Sequence, residues 1–217
     1  MSGTARRPST VLVTGFDPFG GSKVNPSWQA VQAMHGREIG GRQWSGSNCP
    51  PCSIPRWSTG ARAGGAPARA GGLHRPAAGR SAISLERIAI NVNDARIHDN
   101  AGRKPIDTPV VAGGPAAYFT SLPIKAMLLD LLEAGINAEV SQTAGTFVCN
   151  HVFYGLMHLL ARPGWEGTRG GLVHVPWLPE QGQPSMRVDE IVAGLERGIA
   201  CALRTDRDIR KEAGAIA

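Results

Sequence analysis

Cys149, His174 and Glu86 are the residues of this 217-residue chain whose types could together carry out nucleophilic chemistry. Cys149 sits in TAGTFVCN, between a strand-like pattern at Ala138 to Gln142 and a helical pattern opening at Asn150. A cysteine at a helix start meets free backbone N–H groups and the positive end of the helix dipole, both of which favour the thiolate. His174 lies in GLVHVPW, where Pro176 ends a strand and sets the imidazole near the carboxyl edge of a sheet. Glu86, in SAISLERIAIN, precedes a strand pattern by two residues. Nucleophile, base and orienting acid at three strand ends would form a catalytic set. Spacing alone does not bring them together, and each has a plainer role. A cysteine beside a helix is usually a small buried hydrophobe, as expected for Cys201 on the apolar face of the last helix. A strand histidine is commonly a hydrogen-bonded core residue, a reading that fits His151 and His158 better still, and an acid before a strand is commonly solvated or capping.

Two further motifs hold candidate ligand residues. The loop GFDPFGG places Phe16 and Phe19 after the first strand. It lacks both the GK[ST] of a phosphate loop and the GxGxxG spacing. Its rings can sandwich a small flat ligand or pack into the core. Cys49 and Cys52 form a CxxC with only His74 nearby, short of a zinc ligand set, so no metal is expected.

The elements that must position these residues alternate in type. Thr10 to Thr14 reads as a buried strand, and a helix opens at Pro26. Ile88 to Val92 is a second strand, Pro123 to Glu133 an amphipathic helix, Ala138 to Gln142 a strand and Asn150 to Ala161 a helix. Gly171 to Val175 is a further strand and Val188 to Arg204 a closing helix. Strands separated by helices imply an α/β fold with a mostly parallel sheet covered on both faces, and sites in such folds form at the carboxyl ends of strands. The length suits one domain, residues 1–217.

No apolar run approaches a membrane span, and no signal-like segment opens the chain, so a soluble cytoplasmic protein is expected. The net charge of +6 has a local origin. Six arginines (Arg42, Arg56, Arg62, Arg69, Arg75, Arg80) fall between Gly41 and Arg80, with no Lys, Asp or Glu among them. Elsewhere basic and acidic residues balance at 17 each, which leaves no basic stripe for nucleic acid. Residues 41–79 are also poor in apolar periodicity, in a place where an α/β chain needs another strand and helix.

Together, VLVTGFDPFGG with VNPSWQAV, SLERIAINVNDARI with DNAGRKPID, GGPAAYFTSLPIK, TAGTFVCNHVFYGLMH and GGLVHVPWLPEQ resemble the pyroglutamyl peptidase type I (pyrrolidone carboxyl peptidase) family, in the family's order. The resemblance implies a three-layer α/β/α sandwich, a cytoplasmic homotetramer, no cofactor, and hydrolysis of the bond after an N-terminal pyroglutamate. It assigns Cys149 as nucleophile, His174 as general base and Glu86 as the acid that orients it. It places Arg96, with the Cys149 backbone N–H, at the oxyanion, and Phe16, Phe19 and Phe147 around the pyrrolidone ring.

The departure lies in 41–79. Where the family has a QLPTVF-like segment this chain has NCPPCS, and where it has CxGQAGGR this chain has LHRPAAGR. Read one base out of register, allowed codons for WSGSNCPPCSIPRW encode VGVQLPTVFDPAL, and those for LHRP encode Cys-Thr-Gly-Gln. Shifted GC-rich codons yield Arg, Gly, Ala and Pro, the composition seen, so the segment reads as translated out of frame, the alternative being a flexible insertion. The family's ring-reading glutamine is then replaced by Pro76.

Overall fold

The structure, a computed structural model, describes residues 11–18, 21–39 and 80–214 and the backbone of 42–49 and 69–74. In chain order the elements are β1 (Val11–Phe16), α1 (Pro26–Met34), β2 (Glu38–Ile39), β3 (Arg42–Cys49), β4 (Arg69–His74), β5 (Ile83–Glu86), β6 (Ile88–Ile90), β7 (Ala117–Phe119), α2 (Ile124–Glu133), β8 (Ala138–Ser141), α3 (Val148–Leu160), β9 (Leu172–His174) and α4 (Val188–Arg204). The main sheet runs β2-β3-β1-β4-β9-β5-β8, and β6 pairs with β7 in a separate antiparallel ribbon. Four neighbouring pairs of the main sheet are parallel, while β2–β3 and β9–β5 are antiparallel.

Strand alternation sorts the side chains onto two faces. Val11, Val13, Ile83, Leu85 and Val173 point into one core with α1, α2 and α4. The opposite phase of the same strands, including Phe16 and Leu172, packs with Cys149, Phe153, Tyr154 and Met157 of α3. Helices therefore cover both faces of the sheet. Glu86 is one residue from Leu85, and His174 one from Val173, so both belong to the face covered by α3.

The first crossover is fixed by close approach. Gly15 lets the start of α1 lie on β1: a β-carbon there would fall 2.8 Å from the Ser27 carbonyl oxygen and from the Trp28 Cα. Asn25 caps α1 by accepting from the Ser27 N–H at 3.0 Å, and Pro26 stands in the first turn. The Phe16 N–H donates to Ser27 Oγ at 3.0 Å, which locks the end of β1 to the helix.

Three expectations from sequence need correction. Glu86, expected two residues before a strand, is instead the last residue of β5, whose four residues are all buried, so the alternation that marks a half-exposed strand is absent. The pattern at Ile88 to Val92 yields β6, which leaves the main sheet for the ribbon with β7. Residues 41–79, in which no element was expected, contribute β3 and β4 on either side of β1. Ladder bonds are made by backbone groups, so the β1 edges can organise a strand whatever its side chains. Cys52, Phe19, Pro76 and the side chains of Cys49 and His74 lie outside the described residues. Among the described residues, no helix is long and apolar enough to cross a membrane.

Candidate active site

His174 is the last residue of β9 and Glu86 the last of β5, and the two strands run antiparallel with Ser84 opposite His174. Glu86 is thus the diagonal, same-face neighbour of the histidine, a distance that two long side chains close. His174 Nδ1 donates to Glu86 Oε1 at 2.6 Å, with the carboxylate fully buried and the imidazole nearly so. That bond leaves Nε2 for a second partner, and Cys149 is near enough in the fold for its charge to act on the ring.

Cys149 is the second residue of α3, preceded by the N-cap Phe147, which makes no side-chain cap. The first intrahelical bond closes from the His151 N–H to the Phe147 carbonyl, so the Cys149 N–H has no partner within the helix. Cys149, His174, Arg80 and the loop Thr143 to Val148 line an open cavity of about 280 Å³. Burial alone would lower the pKa of His174. The Cys149 charge and hydrogen bond, joined by those of Glu86, outweigh it and push the pKa up to about 9. The imidazole is therefore held as an imidazolium beside Cys149 at neutral pH.

The remaining candidates separate. Phe147 is half-buried and lines the cavity. Phe16 is buried in the cluster that contains Cys149 and does not appear in the cavity wall. Arg96 is exposed and not in the wall, yet its loop is tied to the wall: Asp94 N–H donates to the Thr146 carbonyl at 2.7 Å, and Thr146 Oγ1 donates to the Asp94 carbonyl at 2.9 Å. Phe19 lies outside the described residues.

Sequence reasoning missed three polar residues that hold this arrangement. Arg80 donates to Glu86 Oε1 at 3.0 Å and to the Thr143 carbonyl at 3.3 Å. Asn150 behaves like a short strand: it accepts from the Ile90 N–H at 2.9 Å and donates to the Ile90 and Val92 carbonyls at 2.8 and 2.9 Å, docking the start of α3 on β6. Asn93 Oδ1 meets His151 Nδ1 at 2.8 Å. Burial, and then the Arg103 charge, lower the His151 pKa to about 4 against a smaller opposing effect of Asp99, so that ring stays neutral. His158 is likewise structural, paired with the Tyr118 hydroxyl at 2.9 Å. Cys201 is buried on α4, and burial pushes its pKa up, the opposite of what a nucleophile needs.

Comparison with known proteins is consistent from sequence to fold. The profile of the pyroglutamyl peptidase family matches residues 9–205. The chain is 50% identical to the pyrrolidone-carboxylate peptidase of Cupriavidus pinatubonensis, with 95% of this chain and 99% of that protein covered. It is also 50% identical to pyrrolidone-carboxylate peptidase 1 of Ralstonia nicotianae, over the same shares of each. Among solved structures, pyroglutamyl peptidase I from Bacillus amyloliquefaciens superposes with a TM-score of 0.84 at 39% identity, covering 94% of this chain and 99% of that one. Pyrrolidone carboxyl peptidase from Thermococcus litoralis gives 0.82 at 31% identity, again over 94% and 99%. With identity this high along nearly the whole length, and with the fold shared, the chain belongs to the pyroglutamyl peptidase family.

Proposed function

We propose that this protein is a cysteine peptidase that removes pyroglutamate (5-oxoproline) from the N-terminus of peptides, with Cys149, His174 and Glu86 as its catalytic set. The observation that carries the assignment of residues is the bond from His174 Nδ1 to a fully buried Glu86, with Cys149 and His174 in the wall of the same open cavity. The Cys149 thiolate attacks the pyroglutamyl carbonyl carbon, and the tetrahedral oxyanion faces the free Cys149 N–H, with Arg96 as its second donor. His174 then gives its proton to the departing amine as the C–N bond breaks, leaving a thioester on Cys149. Water, deprotonated by His174, attacks the thioester and releases pyroglutamate and the thiol. Phe147, at the wall, and Phe16, beneath it, give the ring an apolar seat, and Phe19 joins them by resemblance.

Residues 9–205 match as one unit, which supports a single domain, and the resemblance supports a homotetramer whose mass sedimentation would measure. Residues 41–79 favour a second reading, a chain impaired by an out-of-frame segment. The nucleotide sequence of that segment decides between the frames. For the function itself the test is release of the aniline from pyroglutamyl anilide by purified protein, with Cys149→Ala as control. Equal release by the control removes the nucleophile.

A further inference from the structure

Arg80 is the one charged side chain at the site to which the reaction above gives no task. Its side chain is 21% exposed, against 0% for that of Glu86, which it contacts. Glu86 Oε1 accepts from both His174 and Arg80, while Oε2 is buried and has no hydrogen-bond partner among the described residues. The orientation of the carboxylate therefore rests on one oxygen held from two sides. The other arm of Arg80 donates to the Thr143 carbonyl, at the start of the loop that leads to Cys149. Beyond it, Glu139 Oε1 lies 3.7 Å from Arg80 and accepts from Ser84 Oγ at 2.6 Å.

We infer that Arg80 is a positioning residue for the proposed reaction, one that fixes Glu86 behind His174 and neutralises the buried catalytic set. The charge count gives the reason. Thiolate, imidazolium and carboxylate sum to −1, and a net charge on groups as buried as Glu86 and His174 is unfavourable. Arg80 brings the four groups to zero without touching the reacting atoms. Among the described residues, the ionisable groups that reach the Glu86–His174 pair from neighbouring elements are Cys149 on α3 and Arg80, with Glu139 of β8 behind Arg80. Taking a positive charge from such a cluster makes every proton in it harder to remove. A bridge that merely braced the fold would change stability and leave titration alone.

This inference rests on the catalytic reading, so the experiment separates the two. Alkylation of each cysteine by iodoacetamide is followed against pH by peptide mapping, in the full chain and in Arg80→Met and Arg80→Lys, alongside kcat and KM on pyroglutamyl anilide. In Arg80→Met the pH at which Cys149 becomes reactive rises by about half a unit or more, a figure reduced for the partial exposure of Arg80. Its kcat falls about tenfold or more while KM stays within about twofold. Arg80→Lys keeps the charge and so keeps the parent's alkylation midpoint, but it loses the fork that reaches both Glu86 and Thr143 and shows a smaller fall in kcat. A folded Arg80→Met with the parent's midpoint and kcat overturns the proposal. If Arg80→Met does not fold, Arg80→Lys decides, and an unchanged kcat overturns it. Should Cys149 of the parent alkylate no faster than Cys201 at any pH, the catalytic reading fails and the role of Arg80 falls with it.

Discussion

At the scale of single residues, the bond between His174 and Glu86 makes the pH dependence calculable in sign. The folded pKa of His174 is about 9 against an ordinary 6.5, so its stabilising contribution is complete below about pH 6.5 and is lost as pH rises through 9. Activity, which needs the imidazolium to protonate the leaving amine, should fall along the same limb. Cys149→Ala removes two of the causes of the upward shift, so NMR titration of the His174 ring in that variant should show a lower midpoint; an unchanged midpoint would mean that Cys149 does not face it. Glu86→Gln keeps the shape but loses the charge, and kcat/KM should drop about a hundredfold or more, with a smaller effect showing that the ring holds its tautomer unaided. Cys149 and His174 were legible in sequence because each stands beside an element boundary marked by its own neighbours. Glu86 was legible as a candidate acid but not as a buried one. The contacts of Arg80 and Asn150 were not, because they depend on a sheet edge and a loop that meet only in the fold: Asn150 answers to a strand 60 residues away.

At the scale of elements, the register of β5 on β9 brings the ends of two strands, Glu86 and His174, into one site, and Gly15 fixes the path of the chain after β1. Gly15→Ala would force a β-carbon against the backbone of Ser27 and Trp28, which cannot rotate away, so a loss of roughly 2 kcal/mol or more is expected in urea unfolding. A loss within error would mean that α1 can lift from β1 freely. The loop that carries Arg96 is pinned to α3 through Asn93 and His151. Because the His151 pKa is held at about 4, the neutral ring contributes fully above about pH 6.5, and roughly 3 kcal/mol of that contribution is lost as pH falls toward 4. His151→Gln keeps a partner for Asn93 and should flatten the loss of stability over that range; an identical pH profile would remove His151 as its source. Helices α2 and α4 were readable because their apolar spacing and end signals are local, and α4 spans Val188–Arg204, as the pattern predicted. Strand β5 was not, since a strand buried on both faces loses its alternation. Strands β3 and β4 were not either, since they follow the edges of β1 and not a pattern of their own.

At the scale of the whole molecule, the family match runs through 41–79 although the composition there departs from the rest of the chain. We propose a reading-frame shift within an otherwise intact peptidase as the source of that composition. A chain rebuilt in the alternative frame, with a QLPTVF-like strand and Gly-Gln in place of Arg75 and Pro76, regains an amide able to pair with both the N–H and the C=O of the lactam, which proline cannot do. A site built for such pairing loses its substrate when the partner is missing. The measurement that bears most directly on the central claim is turnover of pyroglutamyl anilide by the chain as written and by the rebuilt chain, each beside its Cys149→Ala variant. The account predicts release that depends on Cys149, faster in the rebuilt chain than in the chain as written. Folded protein that releases nothing in either form, or that releases the aniline as fast with alanine at position 149, would contradict the proposed function.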